Sequence, residues 1–138
     1  MNKPTEELLH DLKHTEDILQ YLDDNSDELI GLMPHAYLQD MLQIKHKKPA
    51  EVSLLSGQGD YVYKVFQGTR KASRGILLAI ALGMGLDIDE TQLLLRIAKM
   101  AQLDPRNRYD SVILYALQQN LSVDKTNEIL FDLGESTL

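Results

Sequence analysis

Gln58, Asp60, Tyr61, Lys64 and Gln67 fall within one short stretch, and Lys47, Lys48, Arg70, Lys71 and Arg74 bracket it. A glutamine amide matches the donor and acceptor edge of adenine, a lysine reaches guanine O6 and N7, and a carboxylate accepts from cytosine N4. Gly59, without a side chain, lets backbone come close to another surface. Gln58, Lys64 and Asp60 are therefore of the types that pair with base edges. Lys47, Lys48, Tyr63, Gln67, Arg70, Lys71 and Arg74 are of the types that hold phosphate oxygens. Asp60 also has an explanation needing no ligand, since a carboxylate in the first turn of a helix is favoured by the helix dipole.

Bond-breaking chemistry finds no support beside this. The chain has no cysteine, no G-x-S-x-G and no G-x-x-x-x-G-K, so the usual nucleophile and phosphate-loop patterns are missing. His10 and His14 stand four apart with Asp11 between them, superficially like H-E-x-x-H. Zincin chemistry needs glutamate as the base, a third ligand and an apolar site. Here the pair lies on a polar helix beside Lys13, and a surface helix is the better account. The expectation is a non-enzyme without metal or cofactor.

The recognition residues need a scaffold. Pro49 suits a first helical position, and Val52 and Leu55 repeat three apart, giving one buried stripe on a short helix. Ser56-Gly57-Gln58-Gly59 interrupts the pattern. A second helix then starts at Gln58 or Asp60, with Val62, Val65 and Phe66 inward and Tyr61, Lys64 and Gln67 on another face. Gly68 ends it. Two short helices around a glycine turn are the layout of a helix-turn-helix, whose second helix lies in a DNA major groove.

The run from Tyr61 to Ala98 resembles the repressor-type helix-turn-helix regulators, the Cro/CI-like and XRE families of phage and bacteria. It is similar to a small Gram-positive XRE-like subfamily, through Tyr61-Val62-Tyr63, Gly68-Thr69-Arg70, Gly83 to Leu95 and Leu121 to Glu135. The likeness spans roughly residues 33–138. The loop Lys71-Ala72-Ser73-Arg74-Gly75 departs from the family's Asn-Pro-Ser-Arg-Asp in lacking proline. The resemblance implies an all-α, lambda-repressor-like bundle carrying extra N-terminal and C-terminal helices. It also implies that helix 58–67 enters the groove, with Gln58, Gly59, Asp60, Tyr61 and Lys64 at the positions from which the family reads bases.

The rest of the chain reads as helices around that motif. Thr5 and Thr15 are placed to cap two amphipathic helices, with Leu8, Leu9 and Leu12 on the first and Ile18, Leu19 and Leu22 on the second. Met33 to His46 supplies Ala36, Leu38, Met41, Leu42 and Ile44 to one face. Gly75 to Leu86 is apolar enough to be buried, and Ser73 caps it. Asp87 and Glu90 form a capping box for a helix from Ile88 to Met100, with Leu93, Leu94, Ile97 and Ala98 inward. A helix from Arg106 to Gln119 ends at Asn120, and a last one runs from Ser122 to Asp132. The expected organisation is an acidic helical extension over 1–31, a DNA-binding domain over 32–103, and a C-terminal extension over 104–138 on the same core.

Charge follows the same division. The 138 residues carry a net −7, which taken whole argues against a polyanionic partner. Residues 1–31 hold nine acids against two bases, however, and residues 45–75 hold seven bases against two acids. Local potential decides nucleic-acid binding, not the total. The absence of cysteine, of a secretory leader and of a long apolar run points to a soluble, cytoplasmic protein with no membrane association.

The expectation is a sequence-specific DNA-binding transcriptional regulator, repressor-like, acting on double-stranded DNA as a homodimer. The alternative is a protein-interaction or antitoxin-like module that keeps the fold without binding DNA. The acidic N-terminal helices would suit a protein partner in either case.

Overall fold

A computed structural model describes residues 4–14 and 33–138. The second N-terminal helix expected after Thr15 lies outside the described residues. The chain divides into two compact units, residues 1–32 and 33–138.

The first unit contributes α1 (Thr5–His14), with Glu6 and Glu7 in its first turn and Lys13 and His14 in its last. That order complements the helix dipole at both ends. His14 Nδ1–H donates to the His10 carbonyl at 2.8 Å, and the two rings stand 4.2 Å apart.

The second unit is all-helical: α2 (Pro34–Ile44), α3 (Pro49–Ser56), α4 (Tyr61–Gln67), α5 (Arg74–Met84), α6 (Ile88–Ile97), α7 (Arg108–Gln119) and α8 (Val123–Asp132). No strand occurs among the described residues, and no described helix is long and apolar enough to cross a membrane.

α5 is the element the others pack around. Leu77, Ile80, Ala81 and Met84 face a core built with α2, α3 and α4, while Leu78 and Leu82 face a second core built with α7 and α8. α6 is shared in the same way through Leu94 and Leu95. A helix apolar all round, as α5 is, has to be buried on every side. Its closest neighbour is α3. A Cβ placed on Gly83 would stand 2.9 Å from the Ser56 backbone nitrogen, so glycine is what permits the crossing.

The helix ends follow local chemistry. Ser73, Asp87, Asn107 and Ser122 each accept from a first-turn backbone N–H, of Ile76, Glu90, Asp110 and Lys125. Such caps contribute about 1 kcal/mol apiece. The Glu90 carboxylate answers the Asp87 N–H at 2.9 Å, completing the capping box. Asn120 closes α7 in the left-handed conformation.

Four expectations change. Thr5, expected to cap the first helix, is itself the first residue of α1, and the Glu7 and Leu8 N–H groups donate to the Pro4 carbonyl. α6 stops at Ile97 rather than Met100, because Lys99 turns left-handed at φ 59° and the Met100 N–H reaches back to the Leu95 carbonyl. Leu55 is exposed, and the buried stripe of α3 is Val52 with Ser56. Ile44, expected on the core face of α2, is 61% exposed. For Leu55 and Ile44 the outcome depends on where a neighbouring helix lies, which periodicity does not encode.

Tyr37 joins α2 to α6, its hydroxyl donating to the Glu90 carbonyl at 2.9 Å. Beside it, Lys45 Nζ meets the Glu90 carboxylate at 2.8 Å. Burial, with the Glu90 and Asp87 carboxylates, pushes the Tyr37 phenol up to about 12 from 10.0. Between these values the folded chain keeps a proton that the unfolded chain has released, so stability falls as pH rises. Below pH 10 Tyr37 adds no pH dependence. Tyr37→Phe should cost about 1 kcal/mol at neutral pH and flatten the alkaline limb, as read by urea midpoints across that pH range.

Candidate nucleic-acid interface

The turn between α3 and α4 is held by its own short side chains. Gly57 ends α3 at φ 72° and Gly59 follows at φ 59°. Both conformations are easy for glycine and strained for other residues. Ser53 Oγ donates to the Gly59 carbonyl at 2.8 Å, and the Gln58 N–H donates to Ser56 Oγ at 3.4 Å. The second helix therefore begins at Tyr61. Gln58, Gly59 and Asp60 belong to the turn, correcting the expectation of a helix over 58–67. A residue at positive φ, such as Gly59, cannot continue a right-handed helix.

α4 buries Val62, Val65 and Phe66 and turns Tyr63, Lys64 and Gln67 outward, with Asp60 at its N-cap beside them, all exposed. Their spacing of three, four and seven places them on one face. None has a side-chain hydrogen bond or ion pair among the described residues. Gln58 is half-buried.

Both ends of α4 are fixed from elsewhere. At its C-terminus Gln39 Nε2 donates to the Phe66 carbonyl at 2.6 Å, and the Thr69 N–H and hydroxyl both donate to the Lys64 carbonyl. The His35 ring of α2 fills the space a Cβ on Gly68 would take, at 2.7 Å. At its N-terminus the Tyr61 hydroxyl donates to the Lys71 carbonyl at 2.8 Å, tying the basic loop to the helix. Gln39 and His35 gave no signal in the sequence, because their partners lie about 30 residues away and only the folded chain joins them.

The candidate phosphate residues do not all gather. Lys48, Lys64, Arg70 and Lys71 are exposed and unpaired among the described residues. Lys47 is half-buried, its Cε 4.0 Å from where a Cβ on Gly85 would stand, at the C-terminal end of α5. Arg74 begins α5, about 16 Å away along the axis at 1.5 Å per residue. Its guanidinium donates to both Asp110 carboxylate oxygens at 2.9 and 3.0 Å, and to the Ala101 and Gln102 carbonyls. Its guanidinium is engaged by these four acceptors, so Arg74 leaves the phosphate set. Tyr61, expected to read bases, is half-buried with its hydroxyl engaged, and leaves the base-reading set for the same reason.

What remains is the outward face of α4 and the loop after it, with free cations at Lys64, Arg70 and Lys71 and one free carboxylate at Asp60. Such a surface offers positive charge and hydrogen-bond donors to solvent. Comparison with protein-family models, with curated proteins and with solved structures gave no match.

Proposed function

We propose that the protein is a sequence-specific DNA-binding regulator, repressor-like, with α3, the glycine turn and α4 forming a helix-turn-helix of the lambda-repressor-like, XRE type. One observation carries the reading: Tyr63, Lys64 and Gln67 share the exposed face of α4, unengaged, beside the unpaired Arg70 and Lys71. Lys64 and Gln67 are suited to base edges, and Tyr63, Arg70, Lys71 and Lys48 to phosphates. Asp60, Gln58 and Gly59 then act from the turn at the groove edge. A dimer would read two half-sites about one helical turn apart.

Selecting bound duplexes from a random pool at moderate salt tests this. One sequence family should be enriched, and Lys64→Ala should relax its preference. Lys71→Ala should weaken all duplexes alike and lower the salt slope by about one. Unchanged duplex binding by the Lys64→Ala and Arg70→Ala variants would remove the reading.

The second reading, an interaction or antitoxin-like module that does not bind DNA, has its own observation. Leu54 is 82% exposed on α3, with Leu55 exposed beside it, apolar surface of the kind a protein partner covers. A pool with no enriched sequence would favour it.

A further inference from the structure

The outer face of α8 carries a second polar surface, unlike the first in charge. Asp124, Asn127, Glu128, Phe131 and Asp132 line an open groove whose other wall is Thr137. The spacing of 124, 128, 131 and 132 puts them on one helical face. Phe131 is 75% exposed, which is costly for a ring able to bury a large apolar area. The wall opposite is fixed: Asn127 exchanges two hydrogen bonds with the Leu138 backbone, and Arg108 pairs with Glu135.

The acids here differ from their neighbours. From residue 104 onward, Asp104 pairs with Arg106, Asp110 with Arg74, Glu135 with Arg108, and Glu128 with Lys125. Asp124 and Asp132 have no ion-pair partner among the described residues, and they line the same groove as the exposed ring. No three histidine, aspartate or glutamate side chains among the described residues are placed to hold a metal ion. A small divalent cation is therefore a poor match. A planar guanidinium fits better, since it stacks on an aromatic face while its fork donates to carboxylates on either side.

We propose that the groove formed by Phe131, Asp124, Glu128 and Asp132 with Thr137 is a docking site for an arginine-bearing segment of a partner protein. Arginine would lie over Phe131 and pair with Asp124 or Asp132, and the Thr137 hydroxyl would receive the segment's polar backbone. The site is independent of α4, so it stands whether or not the chain binds DNA.

The probe is a fluorescein-labelled, capped peptide of sequence Gly-Arg-Leu-Arg-Gly, titrated with the full chain and followed by anisotropy. Saturable binding should weaken about fivefold when both arginines become lysine, because an ammonium neither stacks nor forks. Phe131→Ala should weaken it about tenfold. Asp124→Asn with Asp132→Asn should weaken it by a similar factor and reduce its salt dependence. All these positions are exposed, and thermal melts should show each variant still folded, with a small shift at most where Asp124 leaves the first turn of α8. Equal affinity for the lysine peptide, or unchanged binding by Phe131→Ala, would overturn the proposal. So would loss of binding only through a variant's unfolding, shown by its melt. Concentration-dependent self-association abolished by Phe131→Ala, without peptide binding, would instead make a second copy the occupant and also overturn it.

Discussion

Arg74→Ala should destabilise the folded chain by about 1–3 kcal/mol, the usual consequence of leaving a buried acceptor without its donors. The Asp110 side chain is 8% exposed and takes both guanidinium bonds, together with the Asp104 backbone N–H. Without Arg74 that carboxylate stays buried with its charge largely unanswered, and the Ala101 and Gln102 carbonyls lose their donors. Changing both residues at once, Arg74→Met with Asp110→Asn, should cost less than Arg74→Ala alone, because no stranded charge remains. Urea unfolding of the two variants measures this, and equal losses would contradict the account. The result also bears on function. A phosphate contact at position 74 would lower the salt slope of DNA binding with stability intact, whereas a brace between α5, α7 and the 101–104 loop should leave that slope alone.

Gly83→Ala should also destabilise, by roughly 1–3 kcal/mol, the range for overpacking a well-filled site. Helix propensity argues the opposite way, since alanine is favoured over glycine inside a helix by about 1 kcal/mol. Packing prevails because the new Cβ would meet backbone, the Ser56 nitrogen at 2.9 Å, and backbone cannot swing aside as a side-chain tip does. Gly75, in the same helix, has nothing within 4 Å of its Cβ position and should gain from the same change. Opposite signs at 83 and 75, read as urea midpoints, would establish the close crossing of α3 and α5. Matching signs would refute it. Since α3 carries the turn that precedes α4, Gly83→Ala should weaken any binding through α4 as well.

Legibility in the sequence followed the range of the interaction. Caps were readable because donor and acceptor lie within a few residues: Ser73, Asp87, Ser122 and Asn120 act as their local patterns indicate. The buried character of α5 was readable from an unbroken apolar run, and so were the inward residues of α4, Val62, Val65 and Phe66. Boundaries were less so. The start of α4 shifted to Tyr61 because Gly59 adopts a positive φ that residue type permits but does not require.

The division between side chains that hold the fold and those left free for a ligand came only from tertiary structure. Arg74 and Arg70 stand four apart in one basic loop and look alike as residues. Asp110, 36 positions further on, engages the first, and no described residue engages the second. Tyr61 and Tyr63 are separated in the same way by the Lys71 carbonyl, as are Leu55 and Ser56 by the approach of Gly83. By itself the sequence determined that helices form, roughly where, and which stretches carry positive charge, since those depend on neighbours along the chain. Which charges stay unpaired, and which apolar side chains stay uncovered, depends on partners brought together by folding, and composition holds no record of them.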